Sequence, residues 1–365
     1  MIIFKQKFFQ RFHKKLVTKL GSSETRSEAS FDSNLSQSNQ FDFSDYLHHR
    51  YTDAELTTIE PSVYTFLEWL VGFMEGDGCL FFREVPEDNF RKRLQFEIGQ
   101  KDPAVLYRIQ SILGFGTVTS FTRKIKQDQI DQEQIEPIEQ IDQIDQEQIE
   151  ETYWRFRVEN QEHLVLIFRL LNGNLVLPKR RCQYLKCFEV FKEKKVFPEN
   201  LTNKNADLHA GCSKVTLNNA WLSGFIDADG GFYALISENK FKSKKSVKIR
   251  QKFFITQKNE WDDNQVLLNI RTILKSKSKL SQILNTSKQK STHPINESSY
   301  YRIEVQSLES HELLKSYLNE FKLKTKKLIA FRRWERLVKA RQQKLHLDFS
   351  NYSKLEKLGQ SINKF

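Results

Sequence analysis

Two acidic residues, Asp77 and Asp229, stand at the same place in two similar stretches, each directly before a glycine. Both stretches have the spacing of an apolar helix, so each acid would end a helix. A carboxylate there faces the negative end of the helix dipole, at a cost of roughly 0.3–1 kcal/mol that a bound cation would remove. Two such carboxylates held together favour a shared proton or a metal ion, and oxygen ligands favour Mg²⁺ or another divalent cation.

The two stretches also carry small residues at helical spacing. They read Trp-Leu-Val-Gly-Phe-Met-Glu-Gly-Asp-Gly over 69–78 and Trp-Leu-Ser-Gly-Phe-Ile-Asp-Ala-Asp-Gly over 221–230. Small residues four apart share one face of a helix and let another backbone come close. The sequence therefore predicts that the two helices pack through these faces and bring the two acids together. The predicted helix-interface residues are Gly72, Gly76, Gly224 and Ala228.

The segments after each stretch follow the same order. In the first half, Leu94, Phe96 and Ile98 alternate with polar residues, which is typical of a strand with one buried and one wet face. Helical and extended patterns then alternate in both halves. The sequence predicts an α+β fold: two pseudo-twofold-related αββαββα units, with mixed or antiparallel saddle-shaped sheets, packed through the two motif helices.

Composition places the boundaries of these units. The predicted units cover residues 61–198 and 213–340, joined by a linker at 199–212. Residues 1–60 form a basic, largely disordered arm in this interpretation, with a targeting segment at the N-terminus as the alternative. The repetitive, acidic residues 127–151 are a low-complexity insert in the first unit. Residues 341–365 are a basic, weakly patterned tail.

The charge balance indicates a nucleic-acid partner. The chain carries a net charge of +12 although its acidic insert contains no Lys or Arg, so the remainder is more basic still. That excess favours a polyanion, and no apolar run approaches the length of a membrane span. The four cysteines lack CxxC spacing and nearby His pairs, which argues against a zinc site, and a disulfide framework is not expected in a chain of this size. The many Phe, Lys, Ile and Asn residues have AT-rich codons, a hint of an organellar gene.

Both stretches resemble the motif of the LAGLIDADG homing endonucleases in their double-motif, single-chain form. The resemblance covers roughly residues 61–340; the second copy fits almost letter for letter, and the first departs at Glu75 and Gly76. It implies a monomeric, site-specific endonuclease that cuts both strands of DNA at a long recognition site during intron homing, in a chloroplast or mitochondrion. Asp77 and Asp229 would then be both metal ligands and catalytic residues.

The resemblance implies four further catalytic residues. Ile-Gly-Gln-Lys at 98–101 parallels Ile-Thr-Gln-Lys at 255–258, and such a glutamine orients metal and water at the scissile phosphate in the family. That role is carried to Gln100 and Gln257. The family also places a basic residue before the last helix of each unit. Lys324 matches this place in the second unit, and Lys179 is the nearest substitute in the first.

The wet faces of the strands predict a DNA-reading surface. Phosphate contacts supply affinity, and side chains of a β-ribbon in the major groove supply sequence readout. A merely solvated face is the alternative for any single residue. The candidate base readers are Arg83, Arg93, Gln95 and Glu97 in the first unit and Lys248, Arg250, Lys252 and Thr256 in the second.

Two other functions remain open at this point. The first is an intron maturase that binds its own intron RNA on the same fold, and the second is a DNA-binding protein that does not cleave. The maturase would tolerate loss of Asp77 or Asp229, and both are present. A non-cleaving regulator often adds a helix-turn-helix module, for which the sequence gives no signal. A membrane-surface protein is a more distant alternative.

Overall fold

The computed structural model describes residues 40–85, 91–126, 148–207, 210–239, 245–258, 263–285 and 298–365. The structure does not describe residues 1–39 of the predicted arm, most of the acidic insert, or residues 286–297. The first half contains helices α1 (Ser44–Arg50), α2 (Asp53–Leu56), α3 (Pro61–Asp77), α4 (Ala104–Leu113), α5 (Gln161–Leu171) and α6 (Pro178–Lys192), and strands β1 (Gly78–Val85), β2 (Arg91–Gln100), β3 (Thr117–Lys126) and β4 (Gln148–Val158).

The second half repeats this order. Its helices are α7 (Trp221–Asp229), α8 (Asn264–Ile273), α9 (Leu308–Glu320), α10 (Lys327–Gln342) and α11 (Tyr352–Ser361), and its strands are β5 (Gly230–Asn239), β6 (Ser246–Lys258), β7 (Ser281–Asn285) and β8 (Ser298–Val305). The strands form two four-stranded sheets, in the orders β1-β2-β4-β3 and β5-β6-β8-β7. Every pairing described is antiparallel. The predicted α+β architecture is confirmed.

The strand register brings each motif acid close to a glutamine. Gly78 pairs with Ile98, and Gly230 pairs with Ile255 in the other sheet. In an antiparallel pair, the residue just before one partner lies beside the residue just after the other. Each acid therefore stands at the end of the strand that carries Gln100 or Gln257.

The buried face of each sheet follows the predicted alternation. Leu94, Phe96 and Ile98 are at most 6% exposed, and Phe253 and Ile255 are fully buried. The helices of each half pack on this apolar face. The opposite face carries mostly polar and charged side chains, with Tyr233 and Leu235 as exposed exceptions, since successive side chains of a strand point to opposite sides.

Part of the arm predicted to be largely disordered is ordered where the structure describes it. Residues 40–60 form α1 and α2, and Tyr46 and Leu47 are buried. Arg169 of α5 donates a hydrogen bond to Asp45 in α1. The composition of this segment is polar, but a few apolar residues and the ion pairs of Asp45 with Arg169 and of Asp42 with Lys204 anchor it. The expectation of disorder, which concerned residues 1–60, is wrong for residues 40–60.

The C-terminal tail is also folded. Helix α11 lies along β5, where an ideal Cβ on Gly359 would come 2.9 Å from Ile236. Asn363 donates a hydrogen bond to the carbonyl oxygen of Phe232 at 3.0 Å. The predicted linker is packed as well, with Leu201 3% exposed and Asn205 fully buried. These segments are held by contacts far away in sequence, which composition does not reveal.

Helices α3 and α7 cross at very close range. An ideal Cβ on Gly72 would lie 2.0 Å from the carbonyl oxygen of Trp221, and one on Gly224 would lie 1.9 Å from that of Trp69. One turn further on, a Cβ on Gly76 would lie 2.2 Å from the Cβ of Ala228. The four predicted small residues therefore lie at this helix contact, and two glycines each face the partner's backbone.

We predict that Gly72→Ala or Gly224→Ala destabilises the protein by roughly 3 kcal/mol or more, because the added methyl overlaps a backbone oxygen that has no rotamer to escape into. Chemical denaturation followed by circular dichroism measures this loss. Gly99→Ala is the matched control, since a Cβ at Gly99 meets nothing within 4 Å. Equal stability of Gly72→Ala and Gly99→Ala would contradict the close crossing.

Candidate active site

The two motif acids end their helices at the same end of the crossing. Asp77 and Asp229 are the last residues of α3 and α7, and both are half-buried. Oδ2 of Asp229 lies 2.8 Å from where a Cβ on Gly76 would stand, directly beside Asp77 in sequence. Burial and then the Asp229 charge raise the pKa of Asp77 to about 7, and burial raises the pKa of Asp229. The structure therefore brings the two predicted acids together as an electrostatically coupled pair.

Each acid is held by the predicted glutamine of its own half. Nε2 of Gln100 donates to Oδ2 of Asp77 at 2.5 Å, and Nε2 of Gln257 donates to Oδ2 of Asp229 at 2.5 Å. The glutamines fix the orientation of the acids and contribute no charge.

Lys179 belongs to the first half of the molecule but contacts residues of the second half. Its Nζ donates to Oε1 of Gln257 at 2.6 Å and lies 3.4 Å from the buried carboxylate of Asp263. The Lys179 charge also lowers the pKa of Asp229, against the larger effect of burial. A residue of the first half thus completes a chain of contacts from Asp263 through Lys179 and Gln257 to Asp229.

Lys324 lies against the seam between α3 and α7. Its backbone N–H donates to Oδ2 of Asp227 at 2.6 Å, two residues before Asp229. Its ammonium lies 5.6 Å from the centre of the Trp69 ring, within cation–π range. The sequence prediction places this lysine near the site, and the structure puts it beside Asp227 and Trp69.

Two cations that the sequence analysis did not single out cap the motif helices. Arg180 donates to the carbonyl oxygens of Glu75 at 2.6 Å and Gly76 at 2.7 Å. Lys327 donates to the carbonyl oxygen of Ala228 at 2.6 Å, and its charge acts on Asp77 and Asp229. Cations at helix C-termini satisfy unpaired carbonyls and oppose the negative end of the dipole. The signal in the sequence was the run of basic residues at the start of each last helix, Lys179-Arg180-Arg181 and Lys326-Lys327.

A second pair of acids, Glu75 and Asp227, is buried half a helical turn before the motif acids Asp77 and Asp229. Nε1 of Trp221 donates to Glu75 at 2.6 Å, and Nε1 of Trp69 donates to Asp227 at 2.9 Å. Each tryptophan therefore reaches the carboxylate of the opposite motif helix. The loop before the last helix of each half supplies backbone N–H donors, at Val176 for Glu75.

These donors oppose a large desolvation cost. Burial raises the pKa of Glu75 to about 7, while the N–H groups of Leu177, Trp221 and Val176 pull it down. Burial also raises the pKa of Asp227, against its hydrogen bonds from Thr325, Lys324 and Trp69. Glu75, where the first motif departs from the family pattern, thus occupies the role that Asp227 has in the second. Glu75 and Asp227 therefore connect the two motif helices through hydrogen bonds, whereas Asp77 and Asp229 lie at the helix ends.

The predicted base readers on the outward faces of the sheets fall into two groups: some are exposed, and the others contact side chains of the protein. Arg83, Arg93, Lys248 and Arg250 are exposed. Lys252 forms an ion pair with Glu304 at 3.1 Å, and Thr256 accepts a hydrogen bond from Arg302 at 2.8 Å.

Gln95 and Glu97 are engaged by the protein itself. Gln95 is 4% exposed and donates a hydrogen bond to Glu159, which removes it from the open surface. Glu97 lies 2.6 Å from Arg157 and 3.3 Å from Arg155. The alternation of β2 showed which face they share, but their neighbours on β4 and just beyond it could not be read from sequence.

The donor set of the acid pair fits a hard divalent cation. Within the described ranges, no group of three or more His, Cys, Asp and Glu side chains could hold a metal ion by itself. Mg²⁺ is usually bound by one or two carboxylates and completes its shell with water and substrate phosphate. Two adjacent, half-buried carboxylates, each with its pKa raised by burial, suit such a shared site.

This fold and this site define a class of protein: a duplicated α+β scaffold whose two halves meet at a glycine seam that ends in paired acids. The family model for LAGLIDADG endonucleases matches residues 70–136 and 222–338, which include the C-terminal part of α3 and nearly all of α7. The chain belongs to the LAGLIDADG endonuclease family.

Two curated relatives are fungal. The probable intron-encoded endonuclease 4 of Neurospora crassa is 28% identical over 302 residues, which cover 81% of this chain and 44% of that protein. The probable intron-encoded endonuclease Cox1-I1b of Schizosaccharomyces pombe is 27% identical over 303 residues, covering 77% of this chain and 68% of that protein. The chain thus spans less than half the length of the first relative and about two thirds of the second.

A solved structure shares the fold. The LAGLIDADG meganuclease I-AabMI, bound to uncleaved DNA, superposes with a TM-score of 0.53 at 17% sequence identity. The match covers 82% of this chain and 99% of that one. At this identity the likeness establishes the two-unit fold.

We predict that Trp221→Phe costs about 1–3 kcal/mol of stability, because Glu75 loses an N–H donor while it stays buried. Trp69→Phe should cost a similar amount through Asp227, since the two contacts are reciprocal. Thermal unfolding of each variant and of the double variant measures these costs. Wild-type stability in both single variants would show that the crossed contacts do not hold the seam.

Proposed function

We propose that this protein is a site-specific endonuclease that hydrolyses both strands of DNA at a long recognition site, with a divalent cation as cofactor. The observation that carries the proposal is the acid pair at the seam, Asp77 and Asp229, each oriented by a glutamine of its own half. The duplication supports one reacting phosphate per half. Family membership and the intron-encoded relatives support the same conclusion.

Different residues of the chain would have different roles at each DNA strand. Asp77 and Asp229 would hold Mg²⁺ or another divalent cation between them, with Gln100 and Gln257 fixing the carboxylates and directing a water molecule towards the phosphorus. When bound, the cation supplies Lewis acidity and an activated water. Lys179 would bring positive charge to the second half's phosphate. Lys324 is proposed for the same role, by the place it occupies before α10.

The two sheets are long enough for an extended target. Strand β2 has 10 residues and β6 has 13. At about 3.3 Å per residue, each strand runs for roughly 33–43 Å, about the length of one turn of duplex DNA. Two such surfaces side by side would follow the major groove for about two turns. The exposed Arg83, Arg93, Lys248 and Arg250 would contact phosphates and base edges along it.

The biological setting follows as part of the proposal. Both curated relatives are named as intron-encoded endonucleases, which supports intron homing and an organellar gene. A single chain with both acids supports action as a monomer. None of the helices in the described ranges has the length and apolar character needed to cross a membrane.

We predict that Asp77→Asn and Asp229→Asn each slow double-strand cleavage by at least about a hundredfold, equivalent to about 2.7 kcal/mol of lost transition-state stabilisation, while duplex binding persists. The assay uses duplex DNA that carries the uninterrupted intron insertion site, with and without Mg²⁺. Binding is followed by gel shift without the cation.

Asp53→Asn is the control, because Asp53 is an exposed acid in α2, outside the seam. It should cut like the wild type. Unchanged cutting by either motif variant would refute the assignment of the acids. Binding to folded intron RNA without any cleavage of DNA would instead support the maturase alternative, and binding of DNA without cleavage would support a non-cleaving DNA-binding protein.

A further inference from the structure

The outward face of β5 exposes two apolar side chains in a basic surrounding. Leu235 is 42% exposed and Tyr233 is 39% exposed, whereas Phe232 and Ile236, which point to the other side of the strand, are buried. Burying a leucine side chain in an apolar core stabilises a protein, so the core would gain from it. The strand nevertheless presents Leu235 to the surface on which DNA is proposed to lie.

The cross-strand neighbours of these residues are cations. Leu235 pairs with Arg250, Tyr233 with Lys252, and Ser237 with Lys248. Directly opposite residues of an antiparallel pair have their Cβ atoms about 4.5–5.5 Å apart, so each apolar group is flanked at close range by positive charge. Such a surface complements a ligand that is negative at its edges and carries an apolar group inside.

The first half has a different residue at the equivalent position. Gly78 and Gly230 begin β1 and β5 and pair with Ile98 and Ile255, so Arg83 stands where Leu235 stands. Each then lies opposite an arginine, Arg93 in the first half and Arg250 in the second. The two halves therefore share a backbone register and differ in the chemistry that they present there.

We propose that Leu235 contacts the C5-methyl group of a thymine in the major groove, and that Arg83 reads a guanine at the matching place in the other half-site. The inference rests on the proposed function, because it takes duplex DNA as the ligand. The thymine methyl is the apolar group that the major groove offers, whereas O6 and N7 of guanine match an arginine fork. RNA carries uracil in place of thymine, so Leu235 favours DNA over RNA of the same sequence.

The test uses the full chain and binding alone. A preferred duplex is selected from a random pool in the absence of divalent cation, and each thymidine in it is then replaced singly by deoxyuridine. The replacement removes one methyl group and leaves base pairing intact. At one or two positions in one half of the duplex, deoxyuridine should weaken wild-type binding by about three- to fivefold. The Leu235→Ala variant should bind both duplexes equally.

Exchange of the two side chains gives the matched experiment. Leu235→Arg should shift the preferred base at that position from thymine to guanine, and Arg83→Leu should shift the other half-site from guanine to thymine. Leu347→Ala is the control, because Leu347 is 51% exposed and lies between α10 and α11, outside both sheets. It should keep the wild-type response to deoxyuridine.

The outcomes separate the inference from the proposed function. A protein that binds and cuts duplex DNA but binds every deoxyuridine duplex like the thymidine one overturns the thymine contact and leaves the endonuclease standing. A protein that responds to deoxyuridine at Leu235 but does not cut supports the contact and refutes the nuclease. If no duplex in the pool is retained, both fail.

Discussion

Backbone-to-backbone contact between α3 and α7 is the constraint on which the rest of the molecule depends. Gly72 and Gly224 admit the carbonyl oxygens of Trp221 and Trp69 at distances that leave no room for a side-chain atom. At any larger separation, the acids at the helix ends would part, and the crossed tryptophans would miss their carboxylates. The seam thus sets the position of every group in the site, including those contributed by the sheets.

The two halves follow the twofold relation closely at the contact between α3 and α7 and less closely in the side chains around it. Ion pairs cross from each half to the other, Lys179 with Asp263 and Lys326 with Asp102. Lys179 also reaches Gln257, whereas Lys324 lies against Trp69 and Asp227. The acids and glutamines are matched and their cations are not. Two similar sites with different electrostatics suit a substrate whose two strands are not identical.

The seam and the acid pair could be predicted because their causes lie within ten consecutive residues. Glycine spacing, apolar periodicity and a terminal acid are local features, and their duplication doubles the evidence. Gln95 could not be judged the same way, because its burial depends on Glu159, which lies just beyond a strand that is distant in sequence.

The same limit explains the segments at the two ends. Residues 40–60 and 341–365 look polar and weakly patterned, yet a few long-range contacts, such as Arg169 with Asp45, hold them in place. Arg180 and Lys327 were missed for a related reason: a run of basic residues does not reveal which of its cations contacts the end of the motif helix. Local patterns reveal the elements, whereas pairings between elements decide which polar groups stay accessible.

The crossed tryptophans also determine which halves can be partners. Trp221 reaches a glutamate and Trp69 reaches an aspartate, so the two acceptors differ in length by one methylene group. In a homodimer of either half, both tryptophans would meet an acid whose side chain differs by one methylene group from the acid that each contacts here. The contact between α3 and α7 therefore favours the unlike half over a second copy of the same half. Evolutionary exchange of one half would have to carry a matching acid along with it.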